Sequence, residues 1–189
     1  GYLLAVPLIA SGTVRKARKR AFSGGVITAL YFHKPDAELF ARCIRDMLRY
    51  GYVFISAGEM FEMLEGRKPV PKGAAWLSFD DGCRELMDCV IPVVEAAGIP
   101  VTLFIPSGIV AGDGRFPWVD GASRAGGPGA RDAITLEQLR ALAAKPMVTV
   151  GGHTVHHLRA SECSDEQLRG ELEECRRQLE EWTGRPVNF

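Results

Sequence analysis

The chain has 189 residues, enough for one domain with a sizeable core, and a formal net charge of zero. That balance excludes a general attraction to nucleic acid, with one local exception in Arg15-Lys16-Ala17-Arg18-Lys19-Arg20. No run approaches the ~20 apolar residues that span a bilayer, and five cysteines without a CxxC spacing argue against a disulfide framework.

Residues 1–25 read as an N-terminal extension ending in the Gly24-Gly25 break. Tyr2 to Ala10 is apolar and the basic cluster follows it, the wrong order for the two leading regions of a signal peptide. Apolar and basic parts in succession suit an interfacial segment, so peripheral membrane contact through residues 1–20 is an expectation.

Val26 to Phe32 is a dense strand signal closing on His33. Pro35-Asp36 starts a helix on which Leu39, Phe40, Cys43, Ile44, Met47 and Leu48 recur at helical spacing, and Gly51 stops it. Tyr52 to Ser56 is a second strand, followed by a short helix bearing Met60, Phe61 and Leu64 and by turn residues from Gly66 to Gly73. The third strand runs through Trp76-Leu77-Ser78-Phe79 into Asp80-Asp81-Gly82.

Leu86, Val90, Val93 and Val94 mark the next helix face, where Pro92 removes a backbone donor and sets a kink or a late start. Val101 to Ile105 is a fourth strand. A long Gly-rich stretch, Ser107 to Ala133, is interrupted by Phe116-Pro117-Trp118-Val119-Asp120, and loops of that length are commonly functional. Trp118 there is either a small local core or a platform for a flat ligand such as a sugar ring. Thr135 with Gln138 is a capping box for a helix carrying Leu136, Leu139 and Leu142. Met147 to Val150 is a fifth strand, running through Gly151-Gly152 into His153. Ser164 with Gln167 caps a last helix whose stripe is Leu168, Leu172, Cys175, Leu179 and Trp182, ending at Gly184. Pro186 to Phe189 reads as the start of a sixth strand. Cys43, Cys89 and Cys175 fall on apolar helix positions and are expected to be buried free thiols, and Cys83 to be structural.

Strand and helix alternate five times with no hairpin signal, which specifies an α/β fold with a parallel sheet, open or closed into a barrel. Two groups at strand ends carry chemistry. Neighbouring side chains of a strand point to opposite faces, so Asp80 and Asp81 cannot share one job unless the strand has already ended. They stand where α/β sheets place ligands and catalytic groups, although capping the following helix is the simpler role for them. Three of the four histidines lie in His153-Thr154-Val155-His156-His157. His153 can converge on one ion with His157 or with His156. Two imidazoles and one carboxylate, from Asp80 or Asp81, make a catalytic zinc site with an open position.

Ser78-Phe79-Asp80-Asp81-Gly82 resembles the T/S-F-D-D-G motif of polysaccharide deacetylases, the NodB homology domain of carbohydrate esterase family 4. His153-Thr154-Val155-His156-His157 resembles that family's H-[S/T]-x-x-H motif. The resemblance covers residues 26–189 and implies a partial distorted (β/α) barrel of the polysaccharide deacetylase type, with about five complete βα units. It implies that Asp80 is the general base and that Asp81, His153 and His157 hold zinc, so it prefers His157 to His156. It also implies an N-acetylated or O-acetylated polysaccharide or glycan as substrate, and a cell-envelope or cytoplasmic membrane-associated location. Leu158 stands where the family often has proline. The family's later motifs, with its oxyanion donor and general acid, would lie beyond Phe189, so the domain is expected to be incomplete at its C-terminus and weakly active as residues 1–189 alone. His33 is expected to line the barrel mouth. A non-catalytic carbohydrate-binding domain on the same scaffold is the competing reading. Magnesium-dependent phosphoryl transfer is disfavoured by the histidines, since magnesium prefers oxygen ligands.

Overall fold

A computed structural model describes residues 11–119 and 130–188. Its helices are α1 (Thr13–Ala21), α2 (Ala37–Arg49), α3 (Ala57–Leu64), α4 (Ile91–Ala97), α5 (Ser107–Ala111), α6 (Leu136–Ala143) and α7 (Asp165–Thr183). The strands are β1 (Thr28–Phe32), β2 (Val53–Ile55), β3 (Ala74–Phe79), β4 (Val101–Ile105) and β5 (Val148–Gly152), all parallel.

The sheet runs β1-β3-β4-β5, with β2 paired to β3. Along one edge β3 pairs with β1 from Thr28↔Ala75 to Phe32↔Phe79. Its other edge is shared, by β2 through Val53↔Ala74 to Ile55↔Trp76 and by β4 through Ser78↔Thr102 and Phe79↔Leu103. The Trp76 indole N–H donates to Thr102 Oγ1 at 3.0 Å and ties the fork together. The result is the α/β architecture with a parallel sheet expected from the strand and helix alternation, an unclosed partial barrel among the described residues.

The side chains of β3 divide as alternation requires. Leu77 and Phe79 enter the core, with Leu103, Ile105, Phe40, Val90, Leu139 and Leu179 buried around them. Phe79 stacks on Phe32 at 5.5 Å and meets Phe40 edge-on at 5.4 Å, which locks the ends of β1 and β3 to α2. Each such side chain contributes about 1.5–3 kcal/mol by leaving water. The carboxylates that follow Phe79 therefore start from a rigid point.

Thr135 and Ser164 form complete capping boxes as read, and Asp36 accepts from Leu39 N–H at the expected helix start. Ser56, expected to end the second strand, instead forms a third capping box, with Glu59. Before α4 the chain makes a π-helical turn at Leu86–Val90, and Pro92 sits in the first turn of α4, where no backbone donor is missed. α1 projects from the body with its basic side chains exposed. It is held at its C-terminal end, where Gly73 N–H donates to Ala21 C=O and Phe22 meets Tyr52 edge-on at 5.0 Å.

Four further expectations are corrected. Ser107–Ala111 is a short helix, so the Gly-rich stretch is not loop throughout. Residues 186–188 are not a strand: Val187 N–H donates to the Glu180 carboxylate at 2.9 Å instead of to a neighbouring strand. Leu172 leaves the stripe of α7 and is exposed, since Cys175 and Leu179 alone turn fully inward on that helix. Cys43 and Cys89 are half-buried, on helix faces that only partly meet the core, while Cys175 is buried as expected; Cys83 is buried too. Tyr2 to Ala10 and Asp120 lie outside the described residues.

Candidate metal centre

β3 ends at Phe79, so neither aspartate is bound by strand alternation. Asp80 N–H still donates to Phe32 C=O at 2.9 Å, which holds Asp80 at the rim beside β1. Asp81 then enters the left-handed region at φ 68° and sends its side chain inward, where the residue is only 4% exposed. Gly82 follows in the same region, and a Cβ there would stand 2.9 Å from Ile105 Cδ1. The left-handed backbone at φ 65° is what favours glycine here, since the Ile105 methyl could shift aside.

The histidine turn comes off β5 in a comparable way. His153 N–H donates to Ile105 C=O, continuing the β4–β5 pairing one step past the strand. Thr154 and His157 are left-handed, at φ 60° and 56°. Thr154 Oγ1 accepts from Leu158 N–H at 3.2 Å and closes the turn. Asp81, Thr154 and His157 are the non-glycine residues with positive φ among the described residues, and each costs about 1–3 kcal/mol. All three lie in this one site.

These two turns bring together Asp81, His153 and His157, whose ligand atoms all lie within 4.8 Å of one another. From Asp81 Oδ1 the distance to His157 Nε2 is 3.1 Å and to His153 Nε2 3.5 Å. Yet Asp81 Oδ1 is buried without a hydrogen-bond partner among the described residues. Donor atoms about 2.0–2.1 Å from a tetrahedral ion stand about 3.3 Å apart, a spacing these distances bracket. A buried, unbonded carboxylate oxygen beside two imidazole nitrogens fits a divalent cation.

Of the remaining histidines, His156 turns away, its Nδ1 lying 2.7 Å from Glu171 Oε1. His33 sits at the mouth, half-exposed, with Nε2 3.9 Å from Asp80 Oδ2. Asp80 stays outside the ligand cluster. Burial pushes its carboxyl above the ordinary range, partly offset by attraction to His153 and His33. Burial also holds His157 below the usual histidine value, against the pull of Asp81.

Trp118 is 49% exposed, yet its ring stacks parallel on Phe116 at 5.0 Å and lies 4.4 Å from the His157 ring. It is thus both a local core and an open aromatic face beside the candidate centre. A cavity of about 140 Å³ adjoins Asp81 and Trp118, lined also by His33, Lys34, Cys83 and Glu85 among others. At about 30 Å³ per water it has room for four or five waters or an acetamido-sized group.

Two contributors were not legible in the sequence. Glu171 on α7 accepts from the N–H groups of Val155 and His156 at 2.8 and 2.9 Å. Gly108 N–H donates to Val155 C=O at 2.9 Å from the other side. Nothing in the spacing distinguishes Glu171 from the other glutamates of its helix or Gly108 from the other glycines of the Gly-rich stretch.

A profile of the polysaccharide deacetylase family matches residues 67–189, and the chain belongs to that family. Its fold is similar to that of the Streptococcus pyogenes deacetylase PplD, solved in complex with acetate, at a TM-score of 0.67 and 17% identity, over 87% of this chain and 71% of that one. It is also similar to IcaB from Ammonifex degensii (TM-score 0.66, 22% identity, 86% and 70% covered) and to the BpsB deacetylase domain from Bordetella bronchiseptica (0.63, 19%, 85% and 77%). No curated protein matches. Family membership supports carbohydrate deacetylation as the activity class and an acetylated polysaccharide as the substrate class.

Proposed function

We propose that this domain hydrolyses acetyl groups from an N-acetylated or O-acetylated carbohydrate, with zinc held by Asp81, His153 and His157 and with Asp80 as general base. The observation that carries the reading is the buried, unbonded Asp81 Oδ1 next to two imidazole nitrogens, with a second carboxylate standing free beside it. Two imidazoles and one carboxylate suit zinc better than the harder magnesium. When bound, the ion would supply a Lewis acid for the acetyl carbonyl and lower the pKa of water towards ~7.

The chain's own residues supply the rest. Asp80, standing beside the ligand cluster but outside it, takes a proton from the attacking water. The two adjacent aspartates are separated in role by environment, one buried against imidazoles and one at the rim. Trp118 offers its open face to the apolar side of a sugar ring, and the adjoining cavity takes the acetyl group. The water oxygen bonds to the acyl carbon as Asp80 takes its proton; the bond from that carbon to the sugar nitrogen or oxygen then breaks as that atom takes the proton back from Asp80, and acetate and the deacetylated sugar leave. A non-catalytic binder would need the aromatic face but gains nothing from a buried carboxylate oxygen that lacks a hydrogen bond, which is costly to keep.

α1 supports a peripheral contact with an anionic membrane and, with it, a cell-envelope or membrane-associated location. Its Arg15, Lys16, Lys19 and Arg20 are exposed and make no ion pair among the described residues. Arg18 lies over the Tyr50 ring at 4.4 Å.

The test is acetate release from chitooligosaccharides and from O-acetylated glycans by the full-length protein. Release should stop with a chelator and return with zinc. Asp80→Asn should keep zinc and lower turnover about 10²–10⁴-fold. A wild-type rate for that variant would remove Asp80 from the mechanism.

A further inference from the structure

We propose that Glu171 is a positioning residue for the candidate metal centre, clamping the histidine turn so that His157, and not His156, faces Asp81. This rests on the reading of Asp81, His153 and His157 as metal ligands.

One carboxylate makes three contacts with two consecutive residues. Oε2 accepts from Val155 N–H at 2.8 Å and His156 N–H at 2.9 Å, and Oε1 lies 2.7 Å from His156 Nδ1. Hydrogen bonds to an ionised acceptor are roughly twice as strong as neutral ones. Glu171 is itself well placed to anchor, because α7 is fixed to the core by buried Cys175 and Leu179. On the opposite side of the turn, Ser107 and Gly108 N–H groups donate to the carbonyls of Thr154 and Val155. A Cβ on Gly108 would stand 2.8 Å from Val155 O, so that approach requires glycine.

The turn needs such a clamp. Thr154 and His157 are both left-handed, a conformation that side-chain-bearing residues leave unless the surroundings hold them. His153 and His156 have the spacing to share an ion as well. Glu171 removes that alternative by holding the His156 ring on the α7 side, which leaves His157 to converge with His153.

The test uses the full-length protein, zinc titration by calorimetry, and hydrogen exchange at the Val155 and His156 amides of the metal-free protein. Glu171→Ala should weaken zinc binding about 10–100-fold and speed exchange at both amides. Glu171→Gln keeps an acceptor oxygen and should recover part of both. His156→Ala leaves the backbone bonds and should bind zinc as wild type does. Asp81→Ala should lose zinc while the two amides stay protected, which separates the clamp from the ion. Wild-type zinc affinity in Glu171→Ala overturns the proposal, whatever exchange shows. If the wild-type protein binds no zinc, the metal reading fails and exchange alone decides, with unchanged amides in Glu171→Ala overturning the clamp.

Discussion

His157 Nε2 lies 3.1 Å from Asp81 Oδ1, and no hydrogen bond joins them. Both groups stand on backbone in the left-handed region, so strain has been accepted on each side to bring them face to face. His157→Ala and His153→Ala should each abolish stoichiometric zinc binding in calorimetry. Zinc binding that is lost in His156→Ala and kept in His157→Ala would reverse the ligand assignment.

Trp118 shares its ring contacts between Phe116 and His157 and leaves half its surface to solvent. Aromatic contacts of this kind are worth about 0.5–1.5 kcal/mol, which corresponds to a rise in KM of roughly two- to tenfold. Trp118→Ala should show that rise for oligosaccharides with kcat little changed. An unchanged KM with reduced zinc affinity would make the ring a support for His157 and not a sugar platform.

α1 carries five of the chain's basic residues on nine positions and no acidic residue. Full-length protein should sediment with vesicles containing anionic lipid and not with neutral ones, and the binding should weaken at high salt. Reversing Arg15, Lys16, Lys19 and Arg20 to glutamate should abolish it without altering acetate release from soluble oligosaccharides. Equal binding to neutral vesicles would rule out a charge-driven contact.

The Cys83 thiol is buried beside Asp81, and burial pushes it up to about 12. At pH 8 it is protonated and shielded, so iodoacetamide should leave it unmodified in the folded protein. Cys43, Cys89 and Cys163 are partly accessible and should label first, as peptide mass spectrometry would show. Rapid labelling of Cys83 would mean that the turn after Asp81 opens.

Burial raises the Glu171 carboxyl, but hydrogen bonds from the His156 ring and from the His156 and Val155 N–H groups outweigh it and hold the pKa below the ordinary value. A depressed carboxyl adds stability that is present above the unfolded-state value of about 4.3 and is lost as pH falls through the folded-state value. The stability advantage of wild type over Glu171→Gln in urea melts should therefore hold at pH 6–7 and shrink below about pH 4. An advantage independent of pH would mean that charge plays no part in the clamp.

Local order was legible in the residues themselves. The Asp36, Thr135 and Ser164 caps, the stop at Gly184 and the strand runs follow from side-chain oxygens, glycine and β-branched apolar residues acting within a few positions of themselves. The Asp80-Asp81 pair and the histidine turn were visible for the same reason, as chemically distinctive residues at strand ends. Tertiary structure alone decided which of them meet. Asp81 turns inward on left-handed backbone that Gly82 continues, and His156 turns outward because Glu171, fifteen residues along and on another element, holds it. The forked edge of β3 and the exposure of Leu172 belong to the same class. They depend on pairings and packing between segments distant in sequence, where a residue's neighbours, and not its own propensity, set its free energy.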